Sequence, residues 1–265
     1  MKIYPILFFL LFLNVSCNTP NNTPKSIFPE KINGYTKKSE GTIKNKQKIN
    51  LYQNYNENNN LIEIATAFYG KKTNTDSKHS FSGDYFIKRY KYKDSLSALS
   101  EFTLSKDSAY DKFDKSQYAY MLGNSVIILS GIYIYVISTE LCNLNLLKVK
   151  PFTNIKLPES PISKTYLNLK LFINDTASFP FFKTYIQRKV LYKDTILTII
   201  TPFNPVQNEI NKLETFIKKQ NILEETLKYI LFKIKNENNL FLWNKEKKIL
   251  FSDFEDDDLK IIKNI

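Results

Sequence analysis

Apolar and polar residues alternate along much of this chain with the period of two that marks strands. Leu61–Tyr69 and the aromatic-rich Tyr85–Tyr92 read as strands, and Ile49–Tyr55 reads as a strand before the polar loop Asn56–Asn60. Tyr166–Ile173 reads as another, and Lys183–Tyr192 with Thr195–Thr201 predicts a hairpin about Lys193-Asp194. Leu240–Trp243 and Lys248–Phe251 pair in the same way about Asn244–Lys247. In a few places the period lengthens to that of a helix. Asp94 can cap a segment in which Leu96, Leu99 and Phe102 recur. Asn204-Pro205 places a capping side chain before a proline, ahead of a face made of Val206, Ile210, Leu213 and Ile217. A further helix is predicted over Leu223, Leu227, Ile230, Leu231 and Ile234. A short closing helix follows Asp253, acids first and Lys260 and Lys263 later, as the helix dipole favours.

The clearest local pattern is Gln117–Ser138. Gly123-Asn124 and Ser130-Gly131 are two-residue turn candidates, which makes a three-stranded meander. Tyr118, Tyr120, Leu122, Ile127, Leu129, Ile132, Ile134 and Val136 then share one face. Ala119, Met121, Val126, Ile128, Tyr133, Tyr135 and Ile137 share the other. Neither face is polar, as one wet side of an antiparallel sheet would be, so the meander is expected to be central and covered on both sides. A second reading leaves Tyr133 and Tyr135 uncovered, as a platform that stacks on a ligand such as a sugar ring.

These elements predict an α+β fold: mostly antiparallel sheet with a central three-stranded meander, helices packed on it, and possible division into two subdomains. Residues 27–150 would form the first subdomain. Residues 165–265, with two consecutive helices, would form the second. The connection 151–164 carries Pro151, Pro158 and Pro161 and little periodicity. Each half runs strands, helix, strands. That order is compatible with a duplication, although no residue pattern aligns the halves.

Composition narrows the classes. With 43% apolar and 24% charged residues the chain is not disordered as a whole. It is basic, with 38 Lys+Arg against 26 Asp+Glu, but Arg89 and Arg188 are the only arginines. Readers of nucleic acid favour Arg for its bidentate contacts, so the scattered lysines point away from a nucleic-acid partner. One His and two Cys leave too few soft ligands for a His/Cys metal centre, and neither a metal nor a cofactor is expected.

The N-terminus brings in location. Lys2 precedes an apolar run, Ile3–Leu13, which has the length of a secretory h-region and is too short to span a bilayer. Leu13-Asn14-Val15-Ser16-Cys17 follows. This segment resembles the lipobox of bacterial lipoproteins, with Ser16 before the cysteine and Asn14 where the pattern has Leu. The resemblance covers the first 17 residues. It implies removal of residues 1–16 and a diacylglyceryl thioether on Cys17, usually with a further acyl chain on the freed amine, and so an anchor of two or three chains. Ordinary cleavage after Cys17 and an uncleaved anchor are the alternatives. Asn18–Lys25, polar with two prolines, reads as a tether within a segment 17–26. Cys142 is then the remaining thiol and reads as a buried structural residue.

Motifs for chemistry are sparse. His79 lies in a polar loop, Lys71–Gly83, and no Gly-x-Ser-x-Gly elbow supports a triad around it. Asp253–Asp258 alternates acids as a calcium loop does, but Asp258 stands where Gly belongs and Asn264 where the bidentate Glu belongs. The six glycines match no phosphate-binding spacing. The expected function is a non-enzymatic binding or assembly role for a lipid-anchored protein of the cell envelope. It would sit on the exported side of the cell or outer membrane, with the membrane and envelope proteins as partners. The alternatives are an anchored hydrolase of envelope polymers, or a carbohydrate- or lipid-binding protein that uses its aromatic face.

Overall fold

Two antiparallel seven-stranded sheets carry the chain, each drawn from one continuous stretch of sequence. The computed structural model describes residues 26–32, 34–45, 47, 49, 60–70, 85–106, 118–138, 162, 166–175, 179, 182–204, 206–235 and 239–265. The first sheet contains β1 (Lys31–Ile32), β2 (Tyr35–Ile43), β3 (Leu61–Gly70), β4 (Tyr85–Tyr92), β5 (Ala119–Leu122), β6 (Ser125–Ser130) and β7 (Tyr133–Ser138), in the order β1-β2-β3-β4-β7-β6-β5. The second contains β8 (Tyr166–Ile173), β9 (Thr184–Tyr192), β10 (Thr195–Pro202), β11 (Asn221–Glu225), β12 (Tyr229–Lys233), β13 (Leu240–Asn244) and β14 (Ile249–Ser252), in the order β11-β12-β13-β14-β10-β9-β8. Helix α1 (Ser95–Ser105) lies between β4 and β5, α2 (Gln207–Ile217) between β10 and β11, and the short α3 (Leu259–Ile262) closes the chain.

The architecture is therefore nearly all sheet. Strands take 53% and helices 19% of the described residues, which overturns the expected α+β class of a mostly antiparallel sheet with a central meander and helices packed on it. The second of the two consecutive helices is the main source of the error. Its apolar positions belong instead to β11 and β12, joined by a turn in which Thr226 Oγ1 accepts from the Lys228 and Tyr229 amides at 3.2 and 3.1 Å. Ile230, Leu231 and Phe232 are buried in succession, which a strand covered on both faces achieves and the stripe of a surface helix does not. Leu227, placed by the helical reading on the buried face, is 96% exposed. The meander is also not central: β5 is the edge strand of its sheet, and β7 joins the meander to β4.

Both sheets repeat one connectivity. Three strands run as a meander, a helix follows, and a second meander returns so that its last strand pairs with the third strand of the first. In one sheet these are β2-β3-β4, α1 and β5-β6-β7, with β7 beside β4. In the other they are β8-β9-β10, α2 and β11 to β14, with β14 beside β10. The additions are β1 at one edge and one extra strand in the second meander.

Four apolar clusters cover the two faces of each sheet. One face of the first sheet packs Ala65, Ala67, Tyr69, Ile87, Val126 and Ile137 against Phe28 and Ile32 of the N-terminal segment. Its other face meets α1 through Ala98, Leu99 and Phe102. Helix α1 is set as its sequence predicts, with Asp94 Oδ1 accepting from the Ser97 amide at 2.7 Å. It also reaches the second sheet. Ser100 Oγ donates to the Leu171 carbonyl at 2.6 Å, and the Leu171 amide donates to Thr103 Oγ1 at 2.9 Å. Leu171 lies on the edge strand β8, so two hydroxyls of the helix satisfy backbone groups that the sheet leaves open. Leu171 and Ile186 are buried in the same cluster as α1.

Helix α2 packs Ile210, Leu213 and Ile217 on the second sheet, as its periodicity predicts. It begins at Gln207, later than the Asn204-Pro205 signal, after Val206, which makes no side-chain cap and is 56% exposed. The acidic run starts its 3₁₀ turn from Glu255, whose side chain and that of Asp258 form a reciprocal capping box, while Asp253 adopts φ 53°. Ile49 sits in a helical turn, its amide bonded to the Asn45 carbonyl at 2.9 Å, and the rest of the strand expected at Ile49–Tyr55 lies outside the described residues.

Buried tyrosines give this core a pH signature. Burial pushes the Tyr69 hydroxyl up to about 12, Tyr92 lies well above the ordinary value, and Tyr90 is raised by the same cause. The folded state holds these phenols neutral, whereas the unfolded chain ionises them near pH 10. Stability is therefore full below pH ~10 and falls as pH rises through the folded-state values. Urea midpoints followed across alkaline pH, with tyrosinate absorbance in parallel, should show unfolding and ionisation together.

Candidate functional site

One end of the first sheet gathers the polar residues that its strands carry at inward positions. On β3, Glu63 shares a face with Ala65 and Ala67; on β4, Arg89 and Lys91 share that face with Ile87. Cross-strand register places Tyr133 beside Lys91 and Tyr135 beside Arg89 on the neighbouring β7. Arg89 Nη2 donates to Glu63 Oε1 at 2.6 Å, and Lys44 Nζ lies 3.5 Å from Glu63 Oε2. The guanidinium stands over the Tyr133 ring, 4.7 Å from its centroid, and the two tyrosine rings lie 6.2 Å apart at 48°. The side chains of Glu63 and Arg89 are only 10% and 15% exposed, whereas that of Lys44 is 72% exposed.

Both tyrosines singled out from the sequence are thus together, half-buried on one face, as the meander register implied. Burial raises the Tyr135 hydroxyl pKa, and the charge and hydrogen bond of Arg89 oppose that shift. The cation on Tyr133 leaves less of that ring for a flat ligand to stack on. What the arrangement offers is a shelf of two half-buried phenols with the Glu63–Arg89 ion pair beside them, Lys91 on the neighbouring strand and Lys44 at the far side of Glu63. We expect Tyr135→Ala to cost about 1–2 kcal/mol in urea unfolding, less than the ~3–5 kcal/mol of a closed aromatic core. A loss of ~3 kcal/mol or more would mean that the ring is fully enclosed.

Sequence reading missed the Glu63–Arg89 pair. Its trace was visible as charged residues at the inward positions of Leu61–Tyr69 and Tyr85–Tyr92. The chain's two arginines both occupy sheet positions, with Arg188 on β9 only 2% exposed. Guanidinium is the more weakly hydrated cation and the better suited to burial.

A second titratable group lies on α1. Burial raises the Glu101 carboxyl pKa, opposed by the hydrogen bond from Ser105 Oγ to Glu101 Oε1 at 3.2 Å. Its charge also raises the Tyr90 and Tyr92 phenols. Among the described residues, no group of three or more His, Cys, Asp or Glu side chains is placed to hold a metal ion. Cys17, the tether Asn18–Lys25, His79 in Lys71–Gly83 and Cys142 lie outside the described residues. So does the connection 151–164 apart from Ile162. No helix of the described residues is long and apolar enough to cross a membrane. Asp253–Asp258 forms the capped turn described above, and Asn264 Nδ2 donates to the Lys260 carbonyl at 2.6 Å.

No family model matches this chain, no curated protein matches it in sequence, and no solved structure matches it in fold.

Proposed function

We propose that this is a lipid-anchored protein of the cell envelope with a non-enzymatic binding role at a membrane surface. The single observation that carries the reading is the run from Lys2 through Ile3–Leu13 to Ser16-Cys17, an export signal ending at a cysteine in the lipobox position. A thiol at that point accepts a diacylglyceryl group, and two or more chains give a stable anchor. The polar stretch Asn18–Lys25 fits a tether between that anchor and the first described residue, Ser26. Ser26 Oγ donates to Glu40 on β2 at 2.6 Å, and Ile27 and Phe28 pack on the first sheet, so the tether would end on a fixed point of that sheet.

The half-buried tyrosines and the exposed Lys44 beside Glu63 are what support the binding role, and a lipid headgroup suits them better than a flat sugar ring, since Arg89 covers Tyr133. Labelled palmitate fed to a bacterial host that expresses the full chain tests the reading. Label is expected in the protein band, together with retention in the membrane fraction through a high-salt wash. An unlabelled band, or release by salt, would oppose it.

A further inference from the structure

We infer that the shelf formed by Tyr133, Tyr135, Lys44 and Lys91 is a docking surface for an anionic lipid headgroup layer. The inference rests on the anchored reading above and names the surface that the anchor presents to the membrane.

Position is the first argument. Eight residues, Asn18–Lys25, separate Cys17 from Ser26, which gives a reach of about 15 Å. Ser26 is held at Glu40 on β2. From there the sheet runs through β3 and β4 to β7, three strand spacings, and Tyr135 and Tyr133 lie two and four residues along β7 from the position level with Glu40, about 15–19 Å away in all. That separation is comparable with the reach of the stretch after Cys17, and the shelf lies on the same face of the sheet as the packed N-terminal segment.

Charge is the second. Three cations, Lys44, Arg89 and Lys91, meet one carboxylate, Glu63, which is already engaged by Arg89 and Lys44. The excess is positive and its most exposed member is Lys44. The third argument is residue type. Tyrosine beside lysine is the pairing that suits the bilayer interface, where the ring meets the acyl boundary and the hydroxyl and ammonium meet phosphate and water. An anionic leaflet attracts such lysines within a Debye length.

Lysine acetylation on vesicles tests the inference without a substitution. The full chain, purified in detergent from the host that processes it, is placed in vesicles of phosphatidylcholine alone or with one quarter phosphatidylglycerol. Acylation rates are then read by peptide mass spectrometry. Lys44 and Lys91 should react about five-fold more slowly on the anionic vesicles, with the protection lost at high salt, while Lys212 of α2 and Lys219 in the turn after it react alike on both. Equal rates at Lys44 and Lys91, or the same slowing at all four lysines, would overturn the inference. The N-terminal peptide in the same digest reports the anchor separately. A lipidated Cys17 with equal rates refutes the surface alone, and an unlipidated chain with the protection refutes the anchor alone.

Discussion

Phe102→Ala should destabilise both sheets together, by about 3–5 kcal/mol, the range for truncating an aromatic ring in a closed core. Phe102 is 2% exposed on α1, with its ring tilted against Tyr120 of β5 at 5.1 Å. Its cluster includes Ile127, Leu129 and Ile134 of the first sheet and Leu171 and Ile186 of the second. The Ser100 and Thr103 bonds to the Leu171 backbone fasten the same helix to the edge of β8. The chain's single tryptophan, Trp243, is fully buried in the second sheet, in a cluster that does not contain Phe102. Its fluorescence therefore reports the second sheet alone. If α1 couples the sheets, the Trp243 transition in urea shifts as far as the circular-dichroism transition. A Trp243 midpoint that stays in place while the other moves would show that the sheets unfold independently, and the helix would then be no more than a neighbour to β8.

Cys17→Ser should abolish fatty-acid labelling altogether and leave a precursor of undiminished length. The proposed lipid would be attached as a thioether, which a hydroxyl does not replace under the same chemistry. Removal of residues 1–16 is expected to follow the transfer, so the unmodified chain keeps Lys2 and its apolar run. Labelling that persists in Cys17→Ser would place the acyl group elsewhere. A shortened, unlabelled product would point to ordinary signal cleavage instead.

How much of this was legible depended on whether local signals competed. The span Tyr85–Tyr92, the cap at Asp94 and the faces of the meander were readable because turn, cap and periodicity agreed. Tyr166–Ile173 and the hairpin about Lys193-Asp194 were readable for the same reason; both turn residues take positive φ. The segment Asn221–Lys233 was misread because leucine and isoleucine spaced three or four apart fit a helix as well as two short strands. The Thr226 turn between them carries no glycine or proline to announce it. Strand β2 was not seen at all: its KKSEGT core is polar, and only pairing with β1 and β3 makes it a strand. Sheet order was beyond reach, since β4 pairs with β7 and β10 with β14 across long separations. At the candidate site the tyrosines could be placed on one face from the turns. Their ion pair could not, because Glu63 and Arg89 meet only once β3 lies beside β4.

The mass of the N-terminal peptide of the purified, processed protein tests the proposed anchor most directly. The expected peptide begins at Cys17 and is heavier than its sequence by a diacylglyceryl group and a further acyl chain. A peptide that begins at Met1 or Asn18, or one that begins at an unmodified Cys17, would contradict it.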